Sequence, residues 1–547
     1  MPALTCQRTS FRPVLTAMAK CPSFVHQILL VFSFTAALSR AVTVNIPFSA
    51  PDGAPIVSGS LFSLSLEQDR WLDWVGTTST GRNDFFFNTL DNLIQISGEA
   101  PQIRIGADSE DHTDFGVGVK DAELIFPAIT ETVPFPEASN ITVGDAYYEA
   151  VQFLPPDTHV IWGVNFGTKN ITAAFLEAQA IQQAFSSDAV QDAGIILDFV
   201  EIGNEADLYS GNGHRPSGFN VSEYVDEWAT FATNVSAAAG ITPDSHAQFW
   251  GGGFAESSHS TTGFSPQGMF SKGILDSKPG KLIKTISQHH YSGSFCSGNG
   301  GLLQDLMTKS TIRSNLSMFT PDIATVRDQG LDYVLGETNS YSCHGAPGVS
   351  NVAGAALWAL DYALFARKIG VTRVHFHEGI GYKYNLIQPI ALTRSPLDGS
   401  TLPDPLPPHV QPPYYAAVIA AEAAGNGGNT QLVELTIKNS RISGYGFFEG
   451  GSIARAVFIN SEAFLIDLTA ERTSVHVDLD FDDDAPSTMK VKRLVIGHAD
   501  DASGLTWGGV TYETEDGRPS GEESVETVDV GDGFDIQATE VVLLSFS

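Results

Sequence analysis

Eight short apolar runs separated by stretches of helical composition occupy residues 60 to 380, and from about residue 430 the chain carries β-type runs alone. That order predicts an α/β fold: a (β/α)8 TIM barrel of eight strand–helix units with an appended C-terminal β-sandwich. In chain order the predicted barrel strands are "LFSLSLE" (61–67), "QIRIGA" (102–107), "HVIWGVNF" (159–166), "FVEIGN" (199–204), "AQFWGGG" (247–253), "IKTISQHHY" (283–291), "DYVLGE" (332–337) and "RVHFHEG" (373–379). Each is rich in β-branched and aromatic residues and short enough to be a strand. Helical patches lie between them, as at 172–185, 221–239 and 352–370, the last closed by Gly370 as a C-cap. Eight consecutive repeats favour a closed barrel over a doubly wound sheet.

The last barrel helix is expected at 413–425, after a Pro-rich loop. The runs "TQLVELTI", "ISGYGFF", "ARAVFIN", "SVHVDLDF", "KVKRLVI" and "TEVVLLSF" then read as the sandwich, split by Gly and Asp clusters. "VTVNIPF" (42–48) precedes the first barrel strand and is expected to pair into that sandwich. The expected divisions are a leader at 1–41, an N-terminal strand region at 42–55, the barrel at 56–427 and the sandwich at 428–547.

With 547 residues, 42% of them hydrophobic and 17% charged, the chain can bury a large core. A formal net charge of −33 disfavours nucleic acid and anionic membranes as partners. Arg8, Arg12 and Lys20 precede the apolar run "ILLVFSFTAAL" and then Ser39-Arg40-Ala41, the pattern of a secretory signal with a small-x-small cleavage site. The run is too short to span a bilayer. Export would remove Cys6 and Cys21, and an even pair left in a secreted chain, Cys296 and Cys343, is most simply one disulfide, with two buried free thiols as the alternative. Sequons at Asn140, Asn170, Asn220, Asn234 and Asn315 permit N-glycosylation. The sequence sets no oligomeric state.

Two acids carry the chemistry. Glu205 follows the fourth predicted strand in "DFVEIGNEADLYSG", and Glu337 closes the seventh in "YVLGETNSYSCHG". A single Glu is most simply a solvated acid, but two that close apolar strands at the functional face of one barrel can face each other across its mouth. Opposed carboxyls cleave glycosidic bonds, one as general acid and the other as nucleophile at about 5–5.5 Å, or as a water-activating base beyond about 6.5 Å.

The motifs "VEIGNEADLY", "QHHYSG", "LGETNSYSCHGAPGVSNVAGAALWALDYAL" and "HFHEGIGYKYNLI" resemble those of glycoside hydrolase family 79, the β-glucuronidase and heparanase family, and most closely its fungal secreted members. That family belongs to the clan of retaining (β/α)8 glycosidases. The resemblance implies Glu205 as acid/base and Glu337 as nucleophile, Asn204 as a ligand of the sugar 2-hydroxyl, and a carboxylate-binding nest of backbone amides around Ser342 to Gly345 assisted by Tyr384. Tyr291 and Arg104 are expected to hold the nucleophile ionised. A Cys296–Cys343 bridge would stiffen the nest. No cofactor is implied.

Other readings remain open at this stage. His375 and His377 share one face of the eighth strand, and with His289 or His290 they could ligate a metal, although no metal site is expected. The acidic run "DFDDDAP" reads as a solvated turn, and the aromatics of "RWLDWV" and "NDFFFNTL" as a subsite or as core. No G-x-S-x-G, G-x-x-x-x-G-K or G-x-G-x-x-G is present, so serine esterase and nucleotide-binding readings lack an anchor. A heparanase-like endo enzyme calls for basic patches that 30 Lys+Arg against 63 Asp+Glu do not suggest. An exo-acting β-glucuronidase taking glucuronic acid or its 4-O-methyl form therefore fits better, and a non-catalytic, carbohydrate-binding wall protein is the reading from another class.

Overall fold

The computed structural model describes residues 41–255, 257–482 and 486–547. Residues 1–40, which hold Cys6 and Cys21 and most of the expected leader, and residues 483–485 of the acidic run lie outside the described residues.

Eight parallel strands close a barrel: β1 (Phe62–Glu67), β2 (Ile103–Gly106), β3 (His159–Val164), β4 (Ile196–Ile202), β5 (Gln248–Phe254), β6 (Ile283–Ser294), β7 (Asp332–Ser342) and β8 (Val374–Glu378). Each pairs with its sequence neighbour, and β8 pairs with β1 to complete the ring. Inside the barrel Ile161, Trp250 and Val334 form an apolar plug with Phe199 packed against it, and a layer of polar side chains lines the interior nearer the strand C-termini. The helices are punctuated as expected from their flanks. Asn170 caps Ile171–Phe185, Asn220 makes a capping box for Val221–Ala239, and Gly370 (φ 116°) ends Ala353–Ile369.

Two departures from the sequence reading bear on the site. Strands β6 and β7 run past their predicted ends and pair as far as Ser294 with Ser342, so Glu337 lies within β7 and not at its end. The register slips there: Gln288 and His289 face Leu335 and Glu337, leaving Gly336 as an extra residue. This is a β-bulge, which re-aims the side chain that follows it. A Cβ on Gly336 would stand 2.0 Å from Ser287 Oγ and 3.1 Å from the Trp250 ring, so any larger residue must push Ser287 aside and crowd Trp250. The chain between β2 and β3 also makes an excursion that the sequence did not reveal, with short strands Thr113–Phe115, Ala122–Ile125 and Asn140–Val143 forming a small sheet beside the barrel mouth. The aromatics of "RWLDWV" and "NDFFFNTL" supply core and not a subsite: Trp71, Trp74, Phe85 and Phe86 are buried.

In the sandwich, strands Gln431–Glu434, Ile442–Glu449, Ser452–Asn460, Glu540–Phe546, Thr488–Val495 and Thr506–Trp507 form one antiparallel sheet. The second sheet holds Val42–Ile46, Ser474–Phe481 and Phe534–Gln537. Val44 and Ile46 enter the shared core with Val477, Phe458 and Phe534. A polar cluster ties barrel to sandwich: Asp361, on helix Ala353–Ile369, accepts from Arg313 (2.7 Å), Ser443 (2.9 Å) and Tyr445 (2.6 Å). Among the described residues no helix is long and apolar enough to cross a membrane.

Gly336→Ala is expected to destabilise the chain by about 1–3 kcal/mol in denaturant titration, the range for overpacking a tight site, and to lower kcat by turning Glu337 away from its partners.

Candidate active site

Arg104, in the middle of β2, is fully buried and spreads its guanidinium over the barrel floor. Its Nε donates to Glu201 (2.6 Å), Nη1 to Ser65 Oγ and Glu337 Oε2 (both 2.9 Å), and Nη2 to Asn204 Oδ1 (2.8 Å). Gly106 and Gly163 leave room beside it for the Glu110 carboxyl, which stands 3.8 Å from Nη2. Burial, more than the neighbouring Glu201, pushes the Glu110 carboxyl far above the usual carboxylate range. Arg104 thus fixes two side chains that point upward from different strands. Because it is fully buried below the cleft wall, Arg104 acts as a positioning residue for Glu337.

Glu337 receives hydrogen bonds from Arg104 and from Tyr291 Oη (2.8 Å), and His377 Nδ1 stands 3.9 Å away. Burial alone would raise its pKa, but His377 first, then His289, Arg104 and Tyr291 outweigh burial and hold it at about 2. Burial keeps the His289 ring neutral down to about 4, so it adds its charge to that balance only in the acid range where Glu337 itself titrates. Burial also opposes the charge on His377, yet Glu337 on one side and Glu67 (3.2 Å) on the other carry its pKa to about 9.

Glu205 differs in every respect. β4 ends at Ile202, and Gly203 (φ 78°) and Glu205 (φ 48°) take left-handed conformations that swing the chain over the barrel mouth. The Glu205 amide donates to the Gly253 carbonyl (2.8 Å), and Asp111 accepts from the Asn204 amide (3.2 Å) and from Tyr209 Oη (2.6 Å). The carboxyl pairs with His289 Nδ1 (2.9 Å). Burial first, then the negative charges of Glu337 and Asp207, push its pKa well above the usual range. One oxygen of Glu205 and one of Glu337 lie within 4.8 Å of each other. The site therefore holds one protonated and one ionised carboxyl face to face.

These groups line a cleft of about 750 Å3 at the C-terminal ends of the strands, together with Asn204, Tyr291, Tyr384, Ser342 and the Cys296–Cys343 pair. The two cysteines form the disulfide, with Cα atoms 5.1 Å apart, just beyond the paired ends of β6 and β7. Cys343 and His344 have φ of 59° and 69°. His344 is pinned by Glu137 (2.6 Å) from the β2–β3 excursion and stacks on Tyr382 at 3.8 Å. Gly345 does not line the cleft, because its amide is spent on the Tyr341 carbonyl (3.0 Å).

The histidines weighed as metal ligands scatter. His375 lies against Gln102 (3.3 Å) and Trp250, His377 bridges Glu67 and Glu337, and the His290 ring packs on Phe319 and Tyr362. The sequence reading missed Glu67, Asp108, Asp111 and Glu137. Glu67 alone left a signal, as a third acid closing an apolar strand.

Residues 444–543 match the model of the glycosyl hydrolase family 79 C-terminal beta domain. A β-glucuronidase of Aspergillus niger is 27% identical over 515 residues, covering 90% of this chain and 91% of that one. The chain is a glycoside hydrolase that carries a family 79 C-terminal domain. A β-glucuronidase of Neurospora crassa is 26% identical to the hydrolase over 535 residues, again covering 90% and 91%. In fold it is similar to a 4-O-α-L-rhamnosyl-β-D-glucuronidase from Fusarium oxysporum 12S, with a TM-score of 0.75 at 22% identity, covering 92% of this hydrolase and 100% of that chain. A family 51 arabinofuranosidase from Xanthomonas axonopodis pv. citri shares the fold more distantly, with a TM-score of 0.60 at 14% identity over 93% and 99% of the chains.

Arg104→Ala is expected to leave Glu201 and Glu337 uncompensated in the floor, costing about 3–5 kcal/mol of stability in denaturant unfolding and nearly all activity. His377→Gln should raise the Glu337 pKa and move the acid limb of the kcat/KM profile upward from about 2, and because His377 also draws the Glu205 pKa down from a lesser rank among its causes, the alkaline limb should move upward as well.

Proposed function

We propose that the hydrolase is a secreted, retaining exo-β-glucuronidase, with Glu337 as nucleophile and Glu205 as acid/base. The observation that carries this reading is the pair itself: carboxyl oxygens within 4.8 Å, one group held ionised and the other held protonated. That separation suits direct attack on the anomeric carbon, for which about 5–5.5 Å between carboxyls is typical, and leaves no room for the interposed water of an inverting enzyme. Glu337 attacks as Glu205 gives its proton to the leaving oxygen. Neutralising Glu337 in the glycosyl-enzyme then removes the second-largest cause that keeps Glu205 protonated, so Glu205 becomes the base that activates water. Asn204 spends its Oδ1 on Arg104 and keeps its amide N–H groups for the sugar 2-hydroxyl.

The relatives act on β-glucuronides, which supports glucuronic acid as the sugar. Its carboxylate would enter an acidic cleft in which Glu67, Asp108, Glu137, Glu205 and Glu337 all line the wall. The amides of the left-handed turn at Ser342 to His344, with Tyr384, are the proposed donors, since they supply positive potential without a mobile cation. Export accords with the leader-like N-terminus and with the disulfide.

Burial, more than Glu67 and Glu137, keeps Asp108 protonated well above the usual range, and Glu205 behaves likewise. Both are neutral at low pH and gain charge as pH rises, so KM for a β-glucuronide is expected to climb with pH more steeply than KM for any neutral glycoside that turns over. The direct test is release of 4-nitrophenol from its β-D-glucuronide beside the β-glucoside and β-galactoside. Glu337→Gln should lose more than about 10³-fold in kcat/KM, and proton NMR should show the β-anomer of glucuronic acid formed first. Turnover of the neutral glycosides alone would overturn the sugar assignment, and a first-formed α-anomer would overturn retention.

A further inference from the structure

At the pole of the barrel opposite the cleft, where the strands begin, three side chains converge that the catalytic apparatus does not use. His159 is the first residue of β3, Asp198 lies near the start of β4, and His246 belongs to the loop that leads into β5. His159 Nδ1 and His246 Nε2 each stand 2.8 Å from the same oxygen, Asp198 Oδ1. All three donor atoms lie within 4.8 Å of one another. The other Asp198 oxygen is held by the Gln102 side-chain amide at 2.8 Å, so the carboxylate is oriented from behind and turns one oxygen to the two rings.

Two imidazoles and a carboxylate are the donor set that suits zinc and its neighbours in the first transition row. Bonds of about 2.0–2.2 Å to a shared ion place tetrahedral donors about 3.3 Å apart. To admit an ion the rings would need to draw back from their present 2.8 Å, and side chains 41% and 65% exposed have that freedom. Their outer side is open to solvent, leaving a position for water. The amide of Gln102 supplies the outer hydrogen bond that orients a ligating carboxylate.

We propose that His159, Asp198 and His246 form a divalent transition-metal site of the zinc type, which fastens the entry to β5 onto the starts of β3 and β4. The site is structural and acts far from the sugar. Its ligands are 39 and 48 residues apart in sequence, so no local motif announces it.

The test uses the full chain, stripped with chelator, dialysed and titrated with ZnCl2 by calorimetry and thermal unfolding. One saturable zinc ion is expected, raising Tm by about 1–3 °C at a hundredfold excess over Kd. His246→Ala and the isosteric Asp198→Asn should each weaken binding more than about tenfold, remove the Tm shift, and leave glycoside hydrolysis without zinc unchanged. Co2+ in place of zinc should give a visible d–d absorption in the native chain that is absent from both variants. The proposal is overturned if the native chain binds no zinc, or if both variants bind it as the native chain does. In the second case the ion sits elsewhere, for instance among Glu205, His289 and Glu337, where it would inhibit.

Discussion

A guanidinium sealed under the floor of the barrel must find enough acceptors to offset its loss of water, and the acceptors that Arg104 finds are drawn from separate strands and loops. Ser65 comes from β1, Glu201 from β4, Asn204 from the loop after β4 and Glu337 from the bulge of β7. The same bonds that satisfy the cation set the distance between the two halves of the cleft. Movement of β7 relative to β4 would break a charge-assisted bond in a place that water does not reach. Those bonds hold β1, β4 and β7 in one arrangement beneath the cleft.

The unequal protonation of the two carboxyls follows from which strand each rises from. Glu337 emerges beside Arg104, Tyr291 and His377, so its charge is neutralised on three sides. Glu205 stands over the rim on a left-handed turn, with a neutral imidazole as its nearest partner and two negative charges behind it. Neither environment requires a cofactor to create it. His377 is the less obvious contributor, since Glu337 and, on its far side, Glu67 together keep it charged against burial, and Glu67 is in turn fixed by the Ser109 amide and hydroxyl.

Most of the barrel was legible because parallel strands covered on both faces are nearly continuous apolar runs. Glu205 and Glu337 stood out as acids where such runs stop. What escaped the sequence is what lacks that contrast. The later parts of β6 and β7 carry Tyr291, Ser292, Asn339, Ser340 and Ser342, polar residues that pair as a ladder only because the cleft and the disulfide hold them there. The bulge at Gly336 depends on contacts with Ser287 and Trp250 across the sheet, which spacing along one strand does not reveal. Asp111 and Glu137 come from an excursion with no periodicity of its own, and the burial of Arg104 escaped the reading because depth in a barrel is not written in the pattern of a single strand.

The pairing of Val42–Ile46 with Ser474–Phe481 has a consequence for synthesis. Val42 lies beside Val477 in a parallel ladder, so the first described strand must wait about 430 residues for its partner to leave the ribosome, roughly 20–90 s at about 5–20 residues per second. The whole barrel can close in that interval while an unpaired, half-apolar ribbon trails from its bottom edge. The nascent chain thus passes through a long-lived stage with a catalytic domain complete and a sticky edge exposed, and aggregation of newly made protein would be decided at that stage, before the last strand arrives.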